Sequence, residues 1–112
     1  IAIVDDAGNL VAFERMDGGK ITSIGIAIDK AFTAAAARRA THEAQVAAQP
    51  GSAAFGINTT NAGRFVIVGG GLPVPAGKEV IGGVGVSSGT PDQDREVAQA
   101  GIDALAASSS NK

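Results

Sequence analysis

The chain has 112 residues, enough for one domain and too few for two, and its net charge of −2 gives no electrostatic footprint for nucleic acid or an anionic membrane surface. It has no cysteine, which removes disulfides, thiolate-bound zinc, iron–sulfur clusters and a thiol nucleophile, and which suits the cytoplasm and an exported location equally. Apolar residues make up 45%, yet they are mainly Ala, Val and Ile, with four Phe and no Trp or Tyr, and no apolar run approaches the ~20 residues of a membrane span.

Ile1 stands already inside an apolar run with no initiator Met, so the chain is expected to begin inside a longer protein. Ile1–Val4 and Leu10–Arg15 are β-prone and are joined by Asp5-Asp6-Ala7-Gly8-Asn9, which supplies turn chemistry; an antiparallel hairpin is expected. The period then changes. Ile24, Ile28, Ala31, Phe32 and Ala35 fall at helical spacing, Thr22 or Ser23 can cap the start, and the helix is predicted over 23–39. Arg38 and Arg39 sit where cations suit the C-terminal dipole. A second, short helix is expected to start at an N-capping Thr41 and to stop before Pro50-Gly51. Residues 52–63 read as loop.

"RFVIVGG" predicts a strand near 64–69, with both faces covered because the apolar run is continuous. Pro75–Lys78 reads as a turn, and 80–87 as the next strand. Thr90-Pro91-Asp92-Gln93 opens a helix over 91–106, with Thr90 as N-cap, Pro91 at the first helical position and Gln93 completing a capping box. Residues 1–107 thus form one domain, and 108–112 a polar tail. The class is α+β: an antiparallel sheet of about five strands with helices packed against it, and strands 1–4 and 80–87 at its centre because both are rich in Val and Ile. A core of small side chains buries little area per residue. With the alanine run Ala34–Ala37 and the glycine-rich strands, it predicts an even-numbered homo-oligomer.

The stretch 66–89 holds two glycine clusters. A dinucleotide fingerprint needs a strand, G-x-G-x-x-G, and a helix starting at the last glycine. Leu72-Pro73-Val74-Pro75 follows the first cluster and continues an extended path. In the second, the final glycine comes one residue late, and Gly83 and Gly85 lie within the strand. These glycines read instead as places where a helix, ligand or neighbouring subunit approaches the backbone.

"VDDAGNLVAFERMDG", "GRFVIVGGGLPV" and "VIGGVGVSSGTPDQDREVAQAG" together resemble the GlcG/HbpS family of haem-binding and haem-degrading domains, which includes the C-terminal domain of PduO-type proteins. The likeness runs in order to about Ala107. It implies a bacterial protein with a profilin-like α+β fold, a compact homo-oligomer, and haem or tetrapyrrole binding, with haem breakdown or iron handling in some members. It also implies a helix ahead of the first strand, which this sequence lacks and which could carry the iron's donor.

Few residues could carry such chemistry. His42, the one histidine, is either an axial haem or metal ligand or a solvated surface side chain. Met16 is either a soft axial donor or a gap-filler at a sheet edge. Thr59 and Thr60 could offer a hydroxyl to iron or serve loop hydrogen bonding. Arg38, Arg39 and Arg64 could pair haem propionates, since a guanidinium fork fits a carboxylate. Ile24, Ile28 and Phe32 could line a cleft beside the helix pair, with His42 as donor and Arg38 as propionate partner. Asp5 and Asp6 read as turn formers, and Asp92, Asp94 and Glu96 as dipole-favoured first-turn acids. The alternative to a haem protein is a non-catalytic oligomeric module that binds a small organic acid or a partner protein.

Overall fold

The computed structural model describes residues 1–110. Its elements are β1 (Ala2–Asp5), β2 (Leu10–Phe13), α1 (Thr22–Ala37), α2 (Thr41–Ala47), two short 3-10 turns (Ile57–Thr59 and Asn61–Gly63), β3 (Gly71–Ala76), β4 (Glu79–Gly85) and α3 (Pro91–Ser110). The class is α+β, as the change of hydrophobic period requires. The strands form one sheet in the order β2-β1-β4-β3, and every pairing is antiparallel. β1 and β4 are the inner strands, as their apolar content predicts.

The sheet has four strands rather than about five, because the apolar run after Arg64 is not one of them. That segment is tied to α1 instead. The buried Thr33 hydroxyl accepts from the Val66 amide at 2.9 Å, and its one proton is shared between the Asp29 carbonyl at 2.7 Å and the Arg64 carbonyl at 3.0 Å. A segment whose polar groups are committed to a helix side chain cannot join a ladder. The third strand comes later, in the proline-bearing Gly71–Ala76. It is an edge strand, so Pro73 and Pro75 can remove amides from the free side, and the register slips between Val74 and Pro75. The predicted turn narrows to Gly77-Lys78, with Gly77 at φ +63 in the left-handed region that two-residue hairpins favour.

Side chains alternate across β4. Val84 and Val86 join Leu72, Val74 and Ala98 in a cluster with Ile1, Ile3 and Ile102 packed on it. Under α1 the C-terminal part of β4 presents only Gly83 and Gly85, with Gly71 paired beside Gly85. Over them lies α1, whose Ala27, Ala31 and Ala35 are buried with Ala2 and Val4. A methyl at Gly83 would strike the Ala31 carbonyl, one at Gly85 the Ala27 carbonyl, and one at Gly71 the Lys30 carbonyl. The helix therefore sits backbone against backbone on the sheet.

The helix ends differ from expectation in detail. Ile21, not Thr22 or Ser23, occupies the N-cap of α1, without a side-chain cap, and α1 stops at Ala37 because Arg38 turns left-handed (φ 57, ψ 37). Ala40 is the N-cap of α2; Thr41 lies one residue inside the helix and is fully buried, its hydroxyl accepting from the Gly71 amide at 2.9 Å. The α3 capping box forms as predicted, with the Thr90 amide donating to Gln93 Oε1 at 3.0 Å and the Gln93 amide donating to Thr90 Oγ1 at 3.2 Å. α3 runs past 106 through Ser110, and residues 111–112 of the polar tail lie outside the described residues.

Two alanine substitutions test the backbone seam. Gly83→Ala should cost ~2–3 kcal/mol or more in urea unfolding, since α1 must lift from the sheet. Gly25→Ala, on the exposed side of α1 with nothing within 4 Å, should instead stabilise by roughly 0.5–1 kcal/mol. Equal effects of the two would contradict the seam.

Candidate functional site

α1 and α3 meet at the C-terminal end of β4 through a buried ion pair. Lys30 Nζ donates to the Val86 carbonyl at 2.8 Å and lies 3.3 Å from Asp94 Oδ2, with the two side chains 3% and 5% exposed. Asp94 Oδ1 also accepts the Gly89 amide at 3.0 Å. The Asp94 carboxylate thus has a task beyond the helix dipole: it fixes the β4–α3 loop to both helices. Lys30 is the residue sequence reasoning missed. Its signal was a lysine set directly beside Ala27, Ala31 and Ala34 in an apolar stripe.

Above this pair lies a slot of ≈ 340 Å³. Its walls are Phe13 from β2, Ile24 and Ala27 from α1, Val86, and Val97 from α3. Its rim is made by the loop after β2, carrying Glu14, Arg15, Met16, Asp17 and Lys20, and by Ser87-Ser88-Gly89. The two loops are laced together: Ser87 Oγ lies 3.1 Å from Ser23 Oγ, and the Lys20 amide donates to Ser88 Oγ at 3.2 Å. Ser88 is held at φ 98, a left-handed backbone that costs energy in a residue with a side chain. Met16 is 69% exposed at the mouth.

A second depression, of ≈ 390 Å³, opens beside α2. Arg38, Arg39, His42 and Glu43 line it from the α1–α2 corner, Leu72, Pro73 and Pro75 from β3, and Arg95, Gln99 and Ile102 from one stripe of α3. His42 is half-buried, and its Nδ1 is buried with no hydrogen-bond partner. A third hollow, ≈ 440 Å³ and mostly apolar, lies between the sheet and the C-terminal half of α3, among Val11, Ile81, Val84 and Leu105.

The predicted cleft residues are therefore dispersed. Met16 and Ile24 line the slot, while His42 and Arg38 line the second depression. Phe32 faces neither: the Arg64 guanidinium lies 3.9 Å over its ring, and Arg64 Nε is 3.2 Å from Asp29 Oδ1. Thr59 and Thr60 are exposed, and their hydroxyls donate to the Gly56 and Ile57 carbonyls at 2.7 and 2.6 Å. Asp5 acts as a turn former, its Oδ1 accepting the Ala7 and Asn9 amides at 3.0 and 2.9 Å. Among the described residues no group of three His, Asp or Glu side chains gathers into a metal site, and no helix is long and apolar enough to cross a membrane.

Comparison with known proteins agrees with this architecture. The family described as haem-degrading protein HbpS-like matches residues 1–103, and the chain belongs to it. An uncharacterised 15.0 kDa protein of Citrobacter freundii is 47% identical over 102 residues, covering 91% of this chain and 72% of that protein. The crystal structure of Klebsiella pneumoniae ORFY superposes with a TM-score of 0.93 at 42% identity, over 95% of this chain and 73% of that one. The crystal structure of PduOC in complex with haem superposes with a TM-score of 0.89 at 38% identity, over 92% and 75%. The GlcG/HbpS membership expected from the three motifs holds.

The ion pair under the slot makes a direct prediction. Asp94→Ala should destabilise the protein by about 3–5 kcal/mol, because it strands a buried ammonium. The double variant Lys30→Met, Asp94→Leu should recover most of that loss in the same unfolding experiment, since the charge and its partner leave together. An Asp94→Ala cost below about 1 kcal/mol would mean that Lys30 reaches water and that the pair does not anchor α3.

Proposed function

We propose that this HbpS-like chain binds haem or a closely related tetrapyrrole, in the slot between the loop after β2 and α3. The observation that carries the reading is the likeness to PduOC, a protein solved with haem, at 38% identity and a TM-score of 0.89. The side chains of the slot fit such a group. Phe13, Ile24, Val86 and Val97 offer apolar walls to a flat macrocycle. Met16 carries an uncommitted thioether at the mouth, a donor type that haem iron accepts. Arg15 and Lys20, on a rim they share with Glu14 and Asp17, offer cations to the propionates. Haem itself would supply a redox-active iron. The chain's residues would exclude water from one face, supply an axial donor and neutralise the carboxylates.

His42 is the competing donor, from the other depression. A haem titration of the full-length protein read by the Soret band separates the two. The wild type should shift and saturate. Met16→Ala should alter the spectrum or weaken binding about tenfold, and His42→Ala should leave both unchanged. The reverse pattern would move the iron to His42, with Arg38 as propionate partner. No Soret shift in the wild type would end the haem reading.

The assembly proposed with it is an even-numbered homo-oligomer. Val11, Ile81 and Leu105 are 65%, 48% and 48% exposed around one apolar hollow, a surface that a second copy would remove from water. Light scattering of the full-length chain should give an even multiple of the protomer mass. A monomer at micromolar concentration would overturn this.

A further inference from the structure

The depression beside α2 has a chemistry of its own. Three of the chain's five arginines, Arg38, Arg39 and Arg95, line it, against one carboxylate, Glu43. That is a concentration of positive charge in a protein whose net charge is −2. Arg39 lies 3.7 Å from Glu43 in an exposed, solvent-screened i,i+4 pair, and Glu43 leaves the other two cations unanswered. Arg38 and Arg95 have no ion pair or hydrogen bond to any described side chain. By contrast Lys30 and Arg64 are both paired.

The backbone brings these groups together deliberately. The left-handed turn at Arg38 ends α1 and swings Arg38 and Arg39 toward His42 on α2, although glycine would make that turn without strain. Arg95 reaches the same depression from α3, four residues before Gln99 and seven before Ile102, on one helical face. The floor is apolar, from Leu72, Pro73, Pro75 and Ile102. His42, half-buried, lines the same depression.

We infer that this depression binds a small dicarboxylate. Two uncommitted guanidinium forks, one from the α1–α2 corner and one from α3, match two carboxylates, since the planar fork donates to each in bidentate fashion. The apolar floor suits a short hydrocarbon backbone between them. An inorganic phosphate, hydrated on all sides, gains nothing from such a floor. The inference does not rest on the haem reading, because the slot and this depression share no lining residue.

The test is calorimetry without haem, with succinate as the probe and with butyrate and inorganic phosphate as comparisons. Succinate should saturate with a Kd of about 1 mM or tighter, with butyrate and phosphate about tenfold weaker or more. Arg38→Ala and Arg95→Ala should each weaken succinate about tenfold, and Lys78→Ala, on the hairpin turn outside the lining, should not. All three side chains are exposed, so circular dichroism should confirm unchanged folding. No saturable heat with succinate would overturn the inference, as would binding indifferent to both arginines. Phosphate binding as tightly as succinate would overturn the dicarboxylate assignment and leave a general anion patch. Because haem is absent throughout, failure here leaves the slot's reading untouched, and failure of the Soret titration leaves this one untouched.

Discussion

Everything in this fold depends on α1 lying with its backbone directly on β4. The contact is possible because Gly83, Gly85 and Gly71 carry no side chain on that face and because α1 answers with Ala27, Ala31 and Ala35. A helix normally stands off a sheet by a layer of interdigitating side chains. Here that layer is thinned to alanines and Val4 over bare glycines, which is why a chain with four Phe and no Trp or Tyr can still close its core. The apolar area lost to small residues is offset by close packing and by dispersion between backbones.

That closeness positions the rest. With α1 so near the sheet, Lys30 can reach past the end of β4 to the Val86 carbonyl and to Asp94. Asp94 in turn holds the Gly89 amide, so the start of α3 is fixed relative to α1. The slot is what remains between these fixed elements and the loop after β2. Its floor is set by the ion pair and its mouth by the serine contacts between loops. The arginine depression arises at the other end of α1, where the left-handed Arg38 turns the chain into α2. One helix therefore places both concave sites, and each takes its character from what that helix meets at its end.

Much of this was legible in the sequence. The β hairpin, the α1 stripe, the α3 capping box and the central place of β1 and β4 follow from local pattern and cap chemistry. The glycines of "VIGGVGVSSG" were readable as points of close backbone approach, and α1 is what approaches. What pattern could not give was the competition for partners. "RFVIVGG" reads as a strand by every local rule, yet Thr33 claims its polar groups from a helix 31 residues earlier. "LPVPA" reads only as an extended path because of its prolines, yet a sheet edge tolerates them and it is the third strand. The sites were legible as residue types, not as sets. His42, Arg38, Met16 and Phe32 could be picked out, but their division between a slot, a depression and a cation–π contact depends on long-range packing.

The slot under the loop after β2 is proposed to receive the flat face of a tetrapyrrole. A crystal structure of the full-length protein grown with haem tests it most directly. The account predicts the macrocycle seated against Phe13, Ile24 and Val97, with Met16 turned toward the iron and Arg15 or Lys20 at a propionate. Haem held instead on His42 in the arginine depression, or bound with the slot empty, would contradict it.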